Sequence, residues 1–387
     1  MTSLSQGDLV SSRSDRFCPD GLQTLEATVK RPVHWRRRKR YEGCDAKDVE
    51  IDRWRLRSLP RVSRIVKSVF CGEVMFGAGR MIKSLVRGSW KQLRRKRTAA
   101  IYGACHAVAL HKILNNQPAF AERYDLICLP PNFALTDSQF SHICENVLPK
   151  LDLFLYQPVS GEGRHFATAP MLNALRRSAK SIRFSYMHCE LYHPFSNYPS
   201  DSMPGYHGDY IDYAVGKMFF ARLPLDEAYS RDLLIPYSDD ILRWNLREIR
   251  YRENRVFAGD RPIDIKIADL IERRFKKDRL FFTMNHPTSI ILNHVARAIC
   301  SELGLEYTEN IEEEPLGSIV VPVPSFTRKA FGMQFADDPL RMSSVEISFD
   351  EYVRQQIEYF KTIDPSIFLT AIKELARNRP WFERMAF

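Results

Sequence analysis

From Thr98 to Met187 short apolar runs alternate with helix-period segments, and this alternation restricts the possible folds more than any other feature of the 387-residue chain. Thr98–Tyr102, Tyr124–Leu129 (YDLICL), Asp152–Tyr156 (DLFLY) and Ser181–Met187 (SIRFSYM) read as strands. Between them, helices are predicted from the Gly103–His106 turn to about Asn115, over Asp137–Leu148 and over Pro170–Ala179. β–α–β steps this short require parallel strands joined by crossover helices. The expected class is therefore α/β, an open and mainly parallel sheet flanked by helices. The residues just past each strand then share one rim: Gly103–His106, Pro130–Asn132, Gln157–Ser160 and His188–His193. Open α/β sheets hold their ligands at that edge.

Beyond the alternation, Tyr192–Tyr213 is rich in Pro, Gly and aromatic residues and reads as a long ordered loop over the rim. Helices are expected at Ser238–Asn254 and Ile263–Lys276, a strand at Arg279–Met284, and a helix at Thr288–Leu303. A short strand at Val320–Val323 and helices at Phe349–Ile363 and Pro365–Asn378 complete the pattern. This divides the chain into a basic, partly disordered or helical extension (1–97), an α/β catalytic core (98–310) and a mainly helical part packed on the core (311–387).

The net charge of +10 is uneven, because residues 1–97 carry 24 Lys and Arg against 10 Asp and Glu, which leaves −4 on the remainder. His34–Tyr41 (HWRRRKRY) and Arg53–Arg57 (RWRLR) interleave Trp with Arg, a mixture that suits an anionic membrane surface or another polyanion, and equally a solvated arm. Neither an RNP-like sequence nor a Cys/His finger accompanies it, so nucleic acid is not the expected partner. Charges interrupt Arg61–Arg97 before it reaches the roughly 20 apolar residues a spanning helix needs. The 8 cysteines form no CxxC pair, which argues against a zinc module or a disulfide framework and for reduced thiols in a cytoplasmic protein, at most peripheral to the inner face of the membrane. Met1–Gly21 lacks the apolar region of a secretory signal. His188, His193 and His207 have no metal-ligand spacing, and no metal is expected.

Two residues attract attention as chemical groups. Cys105 falls at the start of the first helix, where free N–H groups and the helix dipole favour the thiolate. His286 falls between a strand and a helix, where the positive helix terminus disfavours imidazolium and leaves a neutral base. The plainer reading makes Cys105 a small core residue and Asn285-His286 a helix cap.

These stretches resemble the WcbI family of polysaccharide-biosynthesis enzymes, CoA-binding proteins regarded as acetyltransferases of bacterial capsular sugars. Gly103-Ala104-Cys105-His106 is similar to that family's Gly-Asn-Cys-Gln turn, and Asp152–Gln157 (DLFLYQ) to its apolar strand ending in Gln. Tyr186–Pro194 resembles its aromatic segment ending His-Pro, and Phe282–Pro287 (FTMNHP) its Asn-His-Pro motif, followed here by a helix and Leu303–Leu305. The resemblance spans about Ala99–Leu305. Ala104 and His106 depart from the family's Asn and Gln, and the basic extension has no counterpart.

The resemblance implies CoA or acetyl-CoA as ligand and transfer of acetyl to a hydroxyl of a sugar or polysaccharide acceptor. Cys105, His286 and His193 are then the catalytic candidates, with Gly103, Ala104, His106, Gln157 and Asn285 on the CoA-binding rim. The phosphates of CoA call for basic groups, and Arg164 and His165 in the Gly161–His165 loop are the nearest. Transfer has two routes: direct attack of the sugar hydroxyl with His286 as base, or acetylation of Cys105 first. One alternative is an SGNH-like carbohydrate esterase, against which stand Cys105 in place of Ser and Thr283 in place of Asp. Another is a non-catalytic protein that binds a polyanion or membrane through residues 1–97.

Overall fold

The computed structural model describes residues 96–160, 166–200, 202–203, 210–224, 235–255, 262–309, 314–336 and 338–386. The expectations for residues 1–95, Arg164, His165 and His207 lie outside them.

Four strands build the main sheet: β1 (Arg97–Tyr102), β2 (Tyr124–Cys128), β3 (Leu153–Tyr156) and β4 (Lys180–Arg183). They lie in the order β2-β1-β3-β4, and every pairing is parallel. Both faces are covered, which is why β1 and β3 are continuous apolar runs. Side chains alternate between the faces. Ala99, Ile101, Leu153, Leu155 and Ile182 join one core, while Ala100, Tyr102, Phe154 and Tyr156 join the other.

The chain passes from β1 to β2 on one side, then crosses back over β1 to place β3 on the other. That reversal makes the carboxyl ends of β1 and β3 a topological switch point, where the connections leave in opposite directions and open a crevice. Helix α1 (Cys105–Asn115) follows β1, and α2 (Pro118–Arg123) leads into β2. Helix α3 (Asp137–His142) opens with a capping box between Thr136 and Gln139. The helix predicted over Asp137–Leu148 does not continue as α-helix: it widens to a π-turn over Ile143–Val147 and tightens to a 3₁₀ turn over Leu148–Lys150, where Pro149 removes an N–H. Helix α4 spans Thr168–Ala174, shorter than the expected Pro170–Ala179, and precedes β4.

Within the long aromatic loop a small antiparallel pair forms, β5 (Ser196–Asn197) with β6 (Ile211–Asp212). Helix α5 (Tyr213–Ala221) is capped by Asp212, and α6 spans Ser238–Asn254 as expected. Helix α7 begins only at Ala268 (Ala268–Arg274), because Ile265 is extended and bridges Phe184 at the end of β4. Glu253 then accepts from the N–H groups of Ile267 and Ala268, which fixes that start.

The strand expected at Arg279–Met284 is β7 (Phe281–Thr283), and it pairs with β8 (His286–Pro287) in an antiparallel hairpin outside the main sheet. Helix α8 (Ser289–Glu302) starts after Thr288, so His286, in β8, stands just before the helix as expected. Helix α9 (Ser325–Phe331), the pair β9 (Arg341–Met342) and β10 (Val345–Glu346), and helices α10 (Phe349–Phe360) and α11 (Pro365–Ala376) complete the chain. Val320–Val323 makes one bridge, Val320 to Arg341, rather than a strand. Phe360, Phe368, Trp381 and Phe382 are buried in the same core as Ile101 and Leu155. Among the described residues no helix is long and apolar enough to cross a membrane.

Candidate active site

At the switch point the chain turns from β1 into α1 through Gly103 and Ala104. A Cβ on Gly103 would lie 2.7 Å from Gln157 Oε1 and 2.8 Å from Gln157 Cβ, so glycine is needed for the close approach of the β3 end. Ala104 is the N-cap of α1 and has no side chain that can satisfy the first-turn N–H groups, and no acidic residue stands in that turn. Cys105 is the first helical residue and is half-buried.

Three hydrogen bonds lead from this turn across the molecule. The Ala104 N–H donates to Gln157 Oε1 at 3.0 Å, Gln157 Nε2 donates to His106 Nδ1 at 2.9 Å, and His106 Nε2 donates to the Asn285 carbonyl at 2.7 Å. The carbonyl only accepts, so the His106 proton is on Nε2; the Gln157 amide is likewise oriented by the Ala104 N–H. The relay therefore admits one tautomer. Burial pushes the His106 pKa down to about 4 against the opposing Asn285 hydrogen bond, and nearby His286 lowers it further.

Cys105 and His286 each stand one residue from the two ends of the His106–Asn285 bond, so the relay brings together segments 179 residues apart. The Asn285 side chain is fixed as well. Tyr210 Oη donates to Asn285 Oδ1, and Thr283 Oγ1 donates to the same oxygen at 3.2 Å. The Tyr210 ring meets the His286 ring edge-on, with centroids 6.3 Å apart.

A second layer comes from the segment after β4. Tyr186 packs edge-on against His106 at 5.5 Å, stacks with His188 at 5.9 Å, and lies under the Arg252 guanidinium at 5.7 Å. His188 bonds the buried Glu190 at 3.2 Å, and Arg379 grips the same carboxylate through Nε and Nη2, both at 2.6 Å. Burial alone would raise the Glu190 pKa, but Arg379 and His188 hold it down at about 2. Trp381 Nε1 donates to the Pro194 carbonyl, which ties the same segment a second time. The Cys189 N–H donates to the Met284 carbonyl at 2.7 Å, linking the segment to the β7–β8 hairpin.

Gly103, Ala104, Cys105, His106, Gln157, Asn285 and His286 are thus assembled in one place. His193 is buried against the β7 strand that leads to Asn285: burial and the adjacent Arg279 push its pKa down to about 3, and its hydrogen-bonding neighbour is the Phe282 backbone. The Ala104 N–H is engaged by Gln157, so it does not serve as an oxyanion donor. Among the described residues no group of His, Cys, Asp and Glu is placed to hold a metal ion. Sequence reasoning did not find the roles of Tyr210, Arg252, Glu190 or Arg379. Arg379 acts 189 residues from its partner, and no local pattern announces that.

The profile of one family, described as polysaccharide biosynthesis enzyme WcbI, matches residues 98–308, more than half of the chain. The chain belongs to the WcbI family. Membership gives it a role in polysaccharide biosynthesis. Its structure is similar to a solved WcbI structure at a TM-score of 0.69 with 27% identity, covering 76% of this chain and 100% of that one. The solved protein is described as a native form without a disulfide bond between CoA and one of its cysteines. Comparison with curated proteins finds no match.

Proposed function

We propose that this WcbI family member transfers an acetyl group from acetyl-CoA to a hydroxyl of a surface-polysaccharide sugar, with Cys105 and His286 as the reacting side chains. The observation that carries the reading is the Gln157–His106–Asn285 relay, which joins the Cys105 turn to the His286 loop at the switch point. The rim suits such a ligand. The first turn of α1 has neither a capping side chain nor an acidic residue, so anionic or carbonyl oxygens meet a positive helix terminus. CoA also appears in the description of the similar solved protein.

In this reading the helix terminus favours the Cys105 thiolate. Sγ attacks the thioester carbonyl, a new C–S bond forms and the bond to the CoA sulfur breaks, so that CoA leaves as its thiolate, which afterwards takes the proton that His286 removes from the sugar hydroxyl. The oxyanion is assigned to first-turn N–H groups of α1 other than that of Ala104. The sugar hydroxyl then attacks the acetyl carbon, its proton passes to the His286 imidazole, and the bond to Sγ breaks. The relay keeps both loops in register, and burial holds His106 neutral, so that it does not compete for the proton.

The test is a calorimetric titration with CoA together with acetyl-CoA turnover for the native protein, Cys105→Ala and His286→Ala. CoA affinity is expected to persist in both variants while turnover is lost. Full turnover in both variants would refute the assignment.

A further inference from the structure

We infer that Asn132 is a recognition residue for the pantetheine arm of CoA, holding one of its amide groups beside Cys105. The inference rests on the CoA reading above and adds a ligand contact that the transfer chemistry does not require.

The loop after β2 is locked in place by backbone bonds on both sides of this residue. The Leu129 N–H donates to the Ile101 carbonyl at 3.1 Å, which keeps the chain beside β1 to its carboxyl end. Pro130 and Pro131 follow, with fixed φ and no N–H of their own. The Asn132 N–H then donates to the Gly103 carbonyl at 3.0 Å, and the Ala134 N–H closes a turn onto Pro131 at 2.8 Å. Asn132 is thereby tied to the turn that carries Cys105 two residues on.

Its side chain is less well provided for. Asn132 Oδ1 is buried and has no hydrogen-bond partner, although native structures pair nearly all such atoms. The residue as a whole is half-buried, so a turn of its amide on this rigidly anchored loop uncovers the oxygen at the edge where a ligand is expected, at the cost of one side-chain torsion. Bound pantetheine matches it in chemistry and in reach. Its first amide nitrogen is two methylenes from the sulfur, so a thioester presented to Cys105 brings that amide over the neighbouring rim residues. A secondary amide carries both an N–H and a carbonyl, so the match holds whichever way the Asn132 amide is turned.

The experiment compares two ligands by calorimetry on the full chain: CoA, and the adenosine phosphate half of CoA without pantetheine. Asn132→Ala is expected to weaken CoA about tenfold, as for one lost hydrogen bond to a buried group. The nucleotide half is expected to bind native and variant protein equally, which also shows that the variant is folded. Unchanged CoA affinity in Asn132→Ala would mean that only water satisfies the oxygen and would overturn the inference, as would an equal loss for both ligands. If the native protein bound no CoA at all, the CoA reading itself would fall with it.

Discussion

Replacing His106 with leucine removes both side-chain bonds of the relay while keeping a buried apolar volume. Gln157 Nε2 loses its acceptor at 2.9 Å and the Asn285 carbonyl its donor at 2.7 Å. Each polar group left without its partner costs about 1–3 kcal/mol, so the variant is destabilised by roughly 2–6 kcal/mol at neutral pH. A loss near the middle of that range lowers Tm by roughly 5–10 °C in a domain of this size. The pH dependence identifies the cause. Burial holds the His106 pKa at about 4, below the ordinary 6.5, so between those values the unfolded chain binds a proton that the native state refuses. Native stability from this group is complete above pH 6.5 and declines as the pH falls towards 4, by about 3 kcal/mol in total. Leucine has no such dependence. In denaturant melts at a series of pH values, the gap between native protein and His106→Leu should therefore be widest at neutral pH and narrow steadily towards pH 4. A gap that stays constant with pH, or one below about 1 kcal/mol at neutral pH, would show that the imidazole is not the buried neutral bridge described.

Gly103→Ala should destabilise the fold by about 1–3 kcal/mol in the same melts, because the added methyl meets the Gln157 side chain; a neutral result would mean that Gln157 moves aside without cost. Glu190→Gln leaves Arg379 with an unmatched charge and is expected to cost about 3–5 kcal/mol at pH 7. Because the Glu190 pKa lies below its ordinary 4.5, its contribution is present above that value and lost as the pH falls towards about 2, so the native and Glu190→Gln melts should converge there. Among cysteines, an alkylating reagent followed by mass spectrometry should label Cys105 ahead of Cys189 and Cys300, whose burial pushes their thiols up to about 12 and about 11. Earlier labelling of either buried thiol in the native protein would contradict the placement of Cys105 at the rim.

The parallel sheet was legible because its strands are buried on both faces, and LFLY or TAAIY has few other ways to satisfy that environment. The rim position of Cys105, His106 and Gln157 followed from the ends of those strands. The hairpin that carries His286 was less legible. Apolar Phe281–Thr283 has the same local signature as a sheet strand, and only tertiary pairing with His286–Pro287 sets it apart. Helix ends moved where distant groups intervened: Glu253 caps Ala268 from another helix, and no residue between 263 and 268 encodes that. His193 shows the converse, since a histidine beside a proline in a suggestive loop is equally suited to a dry interior next to Arg279.

The grip of Arg379 on Glu190 has a consequence for how the molecule is made. The loop that positions Tyr186 and His188 waits, during synthesis, for a segment 189 residues downstream before its carboxylate is neutralised. Contacts of such sequence separation are entropically late, so the sheet can be assembled while the wall beside Cys105 is still open. Truncations that stop before Arg379 also take Trp381 and Phe382 out of the core that Ile101 and Leu155 share, so they should lose stability in the sheet together with the wall beside Cys105.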